Sequence, residues 1–264
     1  MKFLKAPNLK TLQDFGIFVN VLFFVFLPFN LSIHLLYGLL IGWIASIIGA
    51  NFIAHRVITH KHYKISNWVK SILLFVYNCN AIGSIVIYAS QHIRHHQYTG
   101  TEQDPHNPNE KGFLRTHFRY YGDRPNTLDK KLYKKMIGNK IYNFYHKYYW
   151  LPIIIYSTII TIFIPITLLY YYILVPLFVT FHLSQIQVTL THLNFFGSYQ
   201  NYRDTEPARN SYNNKWLKPF LLGEELHNNH HRYPGRANQG SIYHWYDIDV
   251  LHWISTNIFK VQKT

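Results

Sequence analysis

Two long stretches of this chain contain no Asp, Glu, Lys or Arg: the forty residues from Phe15 to Ala54, and the run from Tyr148 to Tyr202. A helix needs about 20 predominantly apolar residues to cross the hydrocarbon of a bilayer, so each stretch has room for two. LPFNLS, residues 27 to 32, supplies the turn in the first, and Pro165 within IFIPITLL divides the second. The pattern predicts an all-α integral membrane protein of four transmembrane helices in two hairpins. Spans are expected at about 13–30, 32–54, 149–165 and 167–191, with a helical cap from 55–147 and 192–264, the whole chain forming one domain. Hydrophobic residues make up 48% of the chain and aromatics 18%, more than a soluble core requires. Tyr148, Tyr149 and Trp150, and about a bilayer thickness later Tyr170, Tyr171 and Tyr172, sit where interfacial aromatic belts belong.

Every one of the 26 Lys and Arg residues falls outside these spans and the two turns joining them, on the side that holds both termini. By the positive-inside rule that side is cytoplasmic, so the protein is expected to be multi-pass with its cap and both termini in the cytoplasm. The formal charge of +14 is then mainly topology, with anionic headgroups or phosphate-bearing ligands as a secondary use. No RNA-binding motif, zinc finger or basic helix accompanies it, and nucleic acid is not expected as a partner. The basic MKFLKAPNLK at the N-terminus has no small-residue cleavage site after it, which argues against a removed signal peptide. The single cysteine, Cys79, excludes an internal disulfide and any cysteine-rich metal site.

Histidine is the residue left to bind metal, and 17 are present. Three groups stand out: HRVITH with His55 and His60, HIRHH with His92, His95 and His96, and HNNHH with His227, His230 and His231. Positions i, i+3 and i+4 share a helix face, so each triplet is expected to aim three imidazoles at one volume. His55 and His60 diverge by about 140° on an ideal helix, which suggests that they straddle a helix end or serve different ions. One triplet alone reads equally well as a polar helix face. Two triplets and a pair total eight imidazoles, more than the three or four ligands of one zinc site, and fit two transition-metal ions with open positions.

Clusters that share a site lie on one side of the membrane, which requires an even number of spans between them. Two spans separate His96 from His227. The uncharged segment 71–91 should therefore not cross, and is read as a buried or interfacial helix. His192, alone in TLTHLNFFG, would by itself read as an interfacial side chain. His106, in the turn-rich EQDPHNPNEKG, is read as supporting a ligand rather than being one. Glu224 and Glu225 can hydrogen-bond ligand imidazoles, and Asn228 lies inside the third box. His62, His117, His182, His244 and His252 receive no role.

At these residues the chain resembles the membrane-bound fatty acid desaturases, specifically the acyl-CoA or acyl-lipid delta-9 type. The resemblance rests on HRVITH, HIRHH followed by DPHN and GF, THLNFFGSYQNYRDTEPARN, and GEELHNNHHRYP with the trailing YHWYDIDVLHWI, covering about residues 40 to 255. It implies two Fe ions, cycling between Fe2+ and Fe3+, held by His55, His60, His92, His95, His96, His192, His227, His230 and His231. It also implies O2 as co-substrate and insertion of a cis double bond, at delta-9, into a long-chain acyl group carried on CoA, lipid or acyl-carrier protein, a step of fatty acid biosynthesis. The sequence departs from that pattern in several places. Animal-type members place an Asn four residues before the solitary histidine to hold a metal-bound water, whereas Val188 stands here; either one iron is more open or Gln185 or Thr189 substitutes. Tyr88, Gln91 and Ile93 around the second box, and Glu225 and Leu226 before the third, also differ.

Two further readings compete: a membrane di-iron hydroxylase of acyl or alkyl chains, and a non-catalytic metal-binding or metal-transport membrane protein. Transport sites lie near the bilayer midplane, whereas these histidines follow the ends of spans. The sequence holds no fused haem domain, iron–sulfur cysteines or dinucleotide fingerprint, so electrons must come from a separate donor such as a ferredoxin or a b-type cytochrome.

Overall fold

The computed structural model describes residues 9–118, 128–204 and 208–263. Most of the basic N-terminal decapeptide, and positions 205–207 of the long match around His192, lie outside them. The first uncharged stretch forms helix α1 (Leu9–Phe26), a tight 3₁₀ turn at Leu27–Phe29, and α2 (Ile33–Ser46). Ser32 begins α2, its hydroxyl accepting the His34 N–H at 3.2 Å. Beyond Ser46 the helix continues without a break but widens into a π-helix over Ile47–Thr59, giving an apolar rod of 27 residues, Ile33–Thr59.

The segment after this rod does not form a single helix. It splits into α3 (Asn67–Cys79) and α4 (Ile85–Tyr98), of 13 and 14 residues. Each is about 20 Å long, short of the roughly 30 Å of hydrocarbon. Ala81 and Gly83 take positive φ in the turn between them. That turn is tied down by the residues that dilute the apolar run. Asn78 Nδ2 donates to the carbonyls of Tyr145 (3.0 Å) and Tyr149 (3.1 Å), Asn80 Nδ2 to that of Ala45 (2.9 Å), and Gly83 N to the Tyr149 hydroxyl (2.9 Å).

The cap then adds α5 (Pro108–Lys111), α6 (Phe113–Phe118), α7 (Lys130–Ile137) and α8 (Lys140–Lys147). The second uncharged stretch gives α9 (Leu151–Phe163) and α10 (Val175–Thr189). Flanking turns extend α10 into a rod of 27 residues, Ile166–His192, while α9 has only 13. The last part of the cap is α11 (Lys218–Leu221), α12 (His227–Arg232) and α13 (Val250–Trp253), the last continuing as a π-turn over Ile254–Ile258. Two short antiparallel pairs close it: β1 (Tyr63–Lys64) with β4 (Gln262–Lys263), and β2 (Ser198–Tyr199) with β3 (Asn213–Asn214).

Among the described residues three helices, Thr11–Phe29, Ile33–Thr59 and Ile166–His192, are long and apolar enough to cross a membrane. Their outward faces, and that of α9, carry exposed Phe18, Phe24, Leu36, Leu40, Ile162 and Phe163, apolar surface of the kind that lipid covers. The rods α2 and α10 meet through Gly38 and Gly42, one turn apart. A Cβ on Gly42 would lie 2.7 Å from Val179 Cβ and 2.9 Å from Pro176 Cα, so only the missing side chain permits this approach.

Candidate metal centre

The ends of the two long rods and helices α4 and α12 converge, and all nine histidines meet there in two groups. His55, His60, His92, His96 and His230 form one; His95, His192, His227 and His231 form the other. Within each group the ring nitrogens lie within 4.8 Å of one another. The HxxHH triplets do not serve one group each, as their shared helix face suggested. His92 and His96 enter the five-membered group, while His95, about 100° from His96 around α4, turns to the other. On α12 the exchange is reversed: His227 and His231 join the group of four, and His230 crosses to the group of five.

His55 and His60 belong to the same group, so of the two expectations the one of separate ions fails, while the other holds: the pair straddles a helix end, His60 being the residue just past the Ile47–Thr59 helix. The widened helix is the reason they share a group. His60 N donates to His55 O at 3.0 Å, an i→i+5 closure that sets residue i+5 over residue i, where an α-helix would swing it aside.

The donor geometry fits a bound transition metal. In the first group Nε2–Nε2 distances are 2.9 Å for His60–His92 and His92–His96, 3.0 Å for His96–His230 and 3.2 Å for His55–His230. In the second they are 3.0 Å for His192–His227 and His227–His231, 3.1 Å for His95–His192 and 3.3 Å for His95–His231. Two imidazoles about 2.1 Å from one ion and at right angles stand about 3 Å apart.

Several rings have an acceptor beside the nitrogen that faces away from the group. His55 Nδ1 lies 2.6 Å from Glu224 Oε2, His95 Nδ1 2.7 Å from Asp104 Oδ1, and His192 Nδ1 2.7 Å from the Asn210 carbonyl. A ring that donates outward from Nδ1 turns its Nε2 lone pair toward its neighbours, an arrangement that suits a shared cation. Burial, followed by the neighbouring imidazoles, pushes His60, His92, His96, His227, His230 and His231 well below the ordinary histidine range, so the rings are neutral and free to ligate.

Glu224 is buried, which opposes its charge, yet His55 and Arg56 hold it down to about 2. Arg56 donates from Nε to Glu224 Oε1 (2.5 Å) and from Nη1 to Asp249 Oδ2 (2.9 Å). Asp104 is likewise held well below the usual carboxylate range by His95, against the cost of burial. Glu225 takes no part: it accepts from Gly223 N at 2.6 Å, and burial raises it to about 8.

Asn228 Oδ1 accepts from the backbone N–H groups of Asn201 (2.9 Å) and Tyr202 (2.8 Å), fixing α12 against the loop before it without facing a ring nitrogen. His106 is buried with its ring centroid 5.4 Å from that of His95, and its backbone N–H donates to Asp104 Oδ1 at 2.8 Å. Thr189 donates to the Gln185 carbonyl at 2.7 Å, and its hydroxyl lies 3.4 Å from His117 Nδ1. Val188 packs with Leu12 and Tyr149. The unassigned histidines stay outside both groups: His62 bonds the Pro234 carbonyl, His252 the Tyr63 hydroxyl, His117 pairs with His182, and His244 stacks on Tyr246.

Sequence reasoning gave no role to Asp104, Asn210, Arg56, Asp249 or Gln239. Acidic scarcity was the available signal, since only 12 Asp and Glu stand against 26 basic residues and one of them, Asp104, lies eight residues after HIRHH.

Fold and site together define a membrane-associated helical protein with two all-imidazole clusters of metal-ligating spacing. The fatty acid desaturase family model matches residues 18–260, and the chain belongs to that family. It is 26% identical over 237 residues to delta-9 acyl-lipid desaturase 1 of Arabidopsis thaliana, covering 86% of this chain and 73% of the relative. It is 26% identical over 262 residues to the sn-1 stearoyl-lipid 9-desaturase of Anabaena variabilis, with 95% and 89% covered. A delta-9 desaturase-like 4 protein of Arabidopsis thaliana matches at 27% over 244 residues, with 89% and 76% covered.

Proposed function

We propose that this desaturase uses two irons and O2 to introduce a cis double bond at the delta-9 position of a long-chain acyl group, with electrons from a separate donor protein. The observation that carries the reading is the pair of imidazole groups, one of five and one of four, whose ring nitrogens stand at ligand–ligand spacing. Iron bound there supplies the reductive activation of O2 that unactivated methylene C–H bonds require, since they offer no acidity to a general base. Per turnover O2 accepts two electrons and two protons from the methylene pair, and two electrons with two solvent protons from the donor side, and leaves as two waters.

The protein's own residues fix the ring orientations. Glu224 and Asp104 hold the proton of His55 and His95 on Nδ1, the Asn210 carbonyl does so for His192, and burial excludes water. Acyl-lipid is the carrier that the plant and cyanobacterial relatives favour by name. We read α1, α2, α9 and α10 as four spans, with cap and termini cytoplasmic, because His55 and His192 end two rods on the side where the Lys and Arg residues collect.

Expression in a host that lacks the product fatty acid, with mass-spectrometric location of any new double bond, tests this reading. A delta-9 alkene is expected. An alcohol would make the protein a hydroxylase, and no modified chain from iron-loaded protein supplied with reductant would reject oxidative chemistry.

A further inference from the structure

A cleft of about 1390 Å³ opens on the cap, its wall built entirely from residues after the last long rod. Two exposed cations, Arg236 and Lys263, line it, as do exposed Ile242, Tyr243 and Trp253. Its two carboxylates are buried and already engaged. Asp247 accepts from Tyr199, Ser241 and Asn201, and Asp249 from Arg56. The charge left to a visitor is therefore positive, beside apolar surface of the kind that protein partners cover.

The floor of this cleft is the back of the metal site. Asp249 Oδ2 accepts from Arg56 Nη1 (2.9 Å), Arg56 Nε donates to Glu224 Oε1 (2.5 Å), and Glu224 Oε2 lies 2.6 Å from His55 Nδ1. A second route uses Gln239, whose N–H donates to Asp249 Oδ2 (2.8 Å) and whose side-chain amide is 3.4 Å from His230 Nδ1. Both routes end on the group of five histidines. The Arg56 and Glu224 side chains are fully buried, so an acyl chain has no passage here. An electron needs only a continuous set of short contacts.

Resting on the desaturase reading, we propose that this cleft is the docking site of the electron donor. Its occupant is a small acidic one-electron carrier protein, and electrons enter the five-histidine group through Asp249, Arg56 and Glu224. Two dockings per turnover deliver the two donor electrons, the accompanying protons coming from solvent.

The test measures binding of a two-iron plant-type ferredoxin and of the soluble haem domain of a b-type cytochrome to the full chain in nanodiscs. Arg236→Glu combined with Lys263→Glu should weaken the carrier that binds by about tenfold at low salt, and much less at high salt. Lys134→Glu with Lys135→Glu, on the exposed face of α7, should leave affinity within about twofold, as scattered surface charges do. Equal weakening by both variants, no weakening by the first, or no binding of either carrier overturns the proposal. Displacement of the carrier by free coenzyme A also overturns it, by making the cleft a headgroup site. Alkene formation by the wild-type chain with dithionite is scored separately: its failure sinks the desaturase reading, while the binding data still decide the cleft.

Discussion

Glu224 bridges His55 and Arg56, one oxygen 2.6 Å from the imidazole Nδ1 and the other 2.5 Å from the guanidinium Nε. A single buried carboxylate thus sets the tautomer of a metal-facing ring and neutralises a buried cation. Glu224→Gln keeps the shape and removes the charge. Iron affinity should fall about 10- to 100-fold, as it does when the partner of a ligating histidine is lost. Stability should fall by about 3 kcal/mol, because Arg56 keeps only Asp249. Iron content after dialysis and thermal unfolding in detergent measure the two effects; wild-type values for both would remove Glu224 from the site.

Asp104 plays the corresponding part for His95 in the other group. Asp104→Asn should weaken metal binding by a similar factor but leave the buried Arg56 network alone, so its loss of stability should be smaller than that of Glu224→Gln. Larger destabilisation in the Asp104 variant would contradict the separation of the two supports.

His92→Ala or His230→Ala should abolish desaturation while membrane insertion stays intact, since both rings face the five-membered group from outside the long rods. His106→Ala should cause a partial loss through its contact with His95. His34→Ala should cost almost nothing, because that ring hydrogen-bonds the Tyr172 hydroxyl at 3.0 Å and joins neither group. More than a few per cent of activity in the first two variants would strike those residues from the ligand set.

Freshly loaded protein should carry two irons per chain, and chelation should lower its melting temperature, because metal that binds only the folded state adds its binding free energy to stability. One ion per chain at saturation would reject the two-site arrangement. Zinc can occupy the same nitrogens in misloaded preparations, since it binds such ligands more tightly than ferrous iron.

Gly42→Leu should force α2 away from α10, where the added Cβ alone would meet Val179 and Pro176 below 3 Å, at a cost of about 1–3 kcal/mol. A lowered melting temperature in detergent checks this. An unchanged value would mean that the two rods can separate freely.

The residue types and spacing along the chain were enough to anticipate long apolar helices and the eight histidines of the three boxes, while His192 entered only through the family resemblance. The helices and the boxes depend on local composition, which a linear sequence displays. The partition of those histidines was a tertiary outcome. His95 and His96 are neighbours in sequence, yet they face different groups, because adjacent helical residues point about 100° apart and only the placement of α12 and the rod ends decides what each one meets. His55 and His60 come together only because the rod widens into a π-helix, a change of hydrogen-bond register that the HRVITH spacing does not encode by itself. The supports of the site were decided the same way. Asp104 is 9 residues from its ring, but Glu224 is 168 residues from Arg56 and Asp249 is 193, and buried ion pairs at such separations exist only once packing has removed the water that would otherwise solvate each charge.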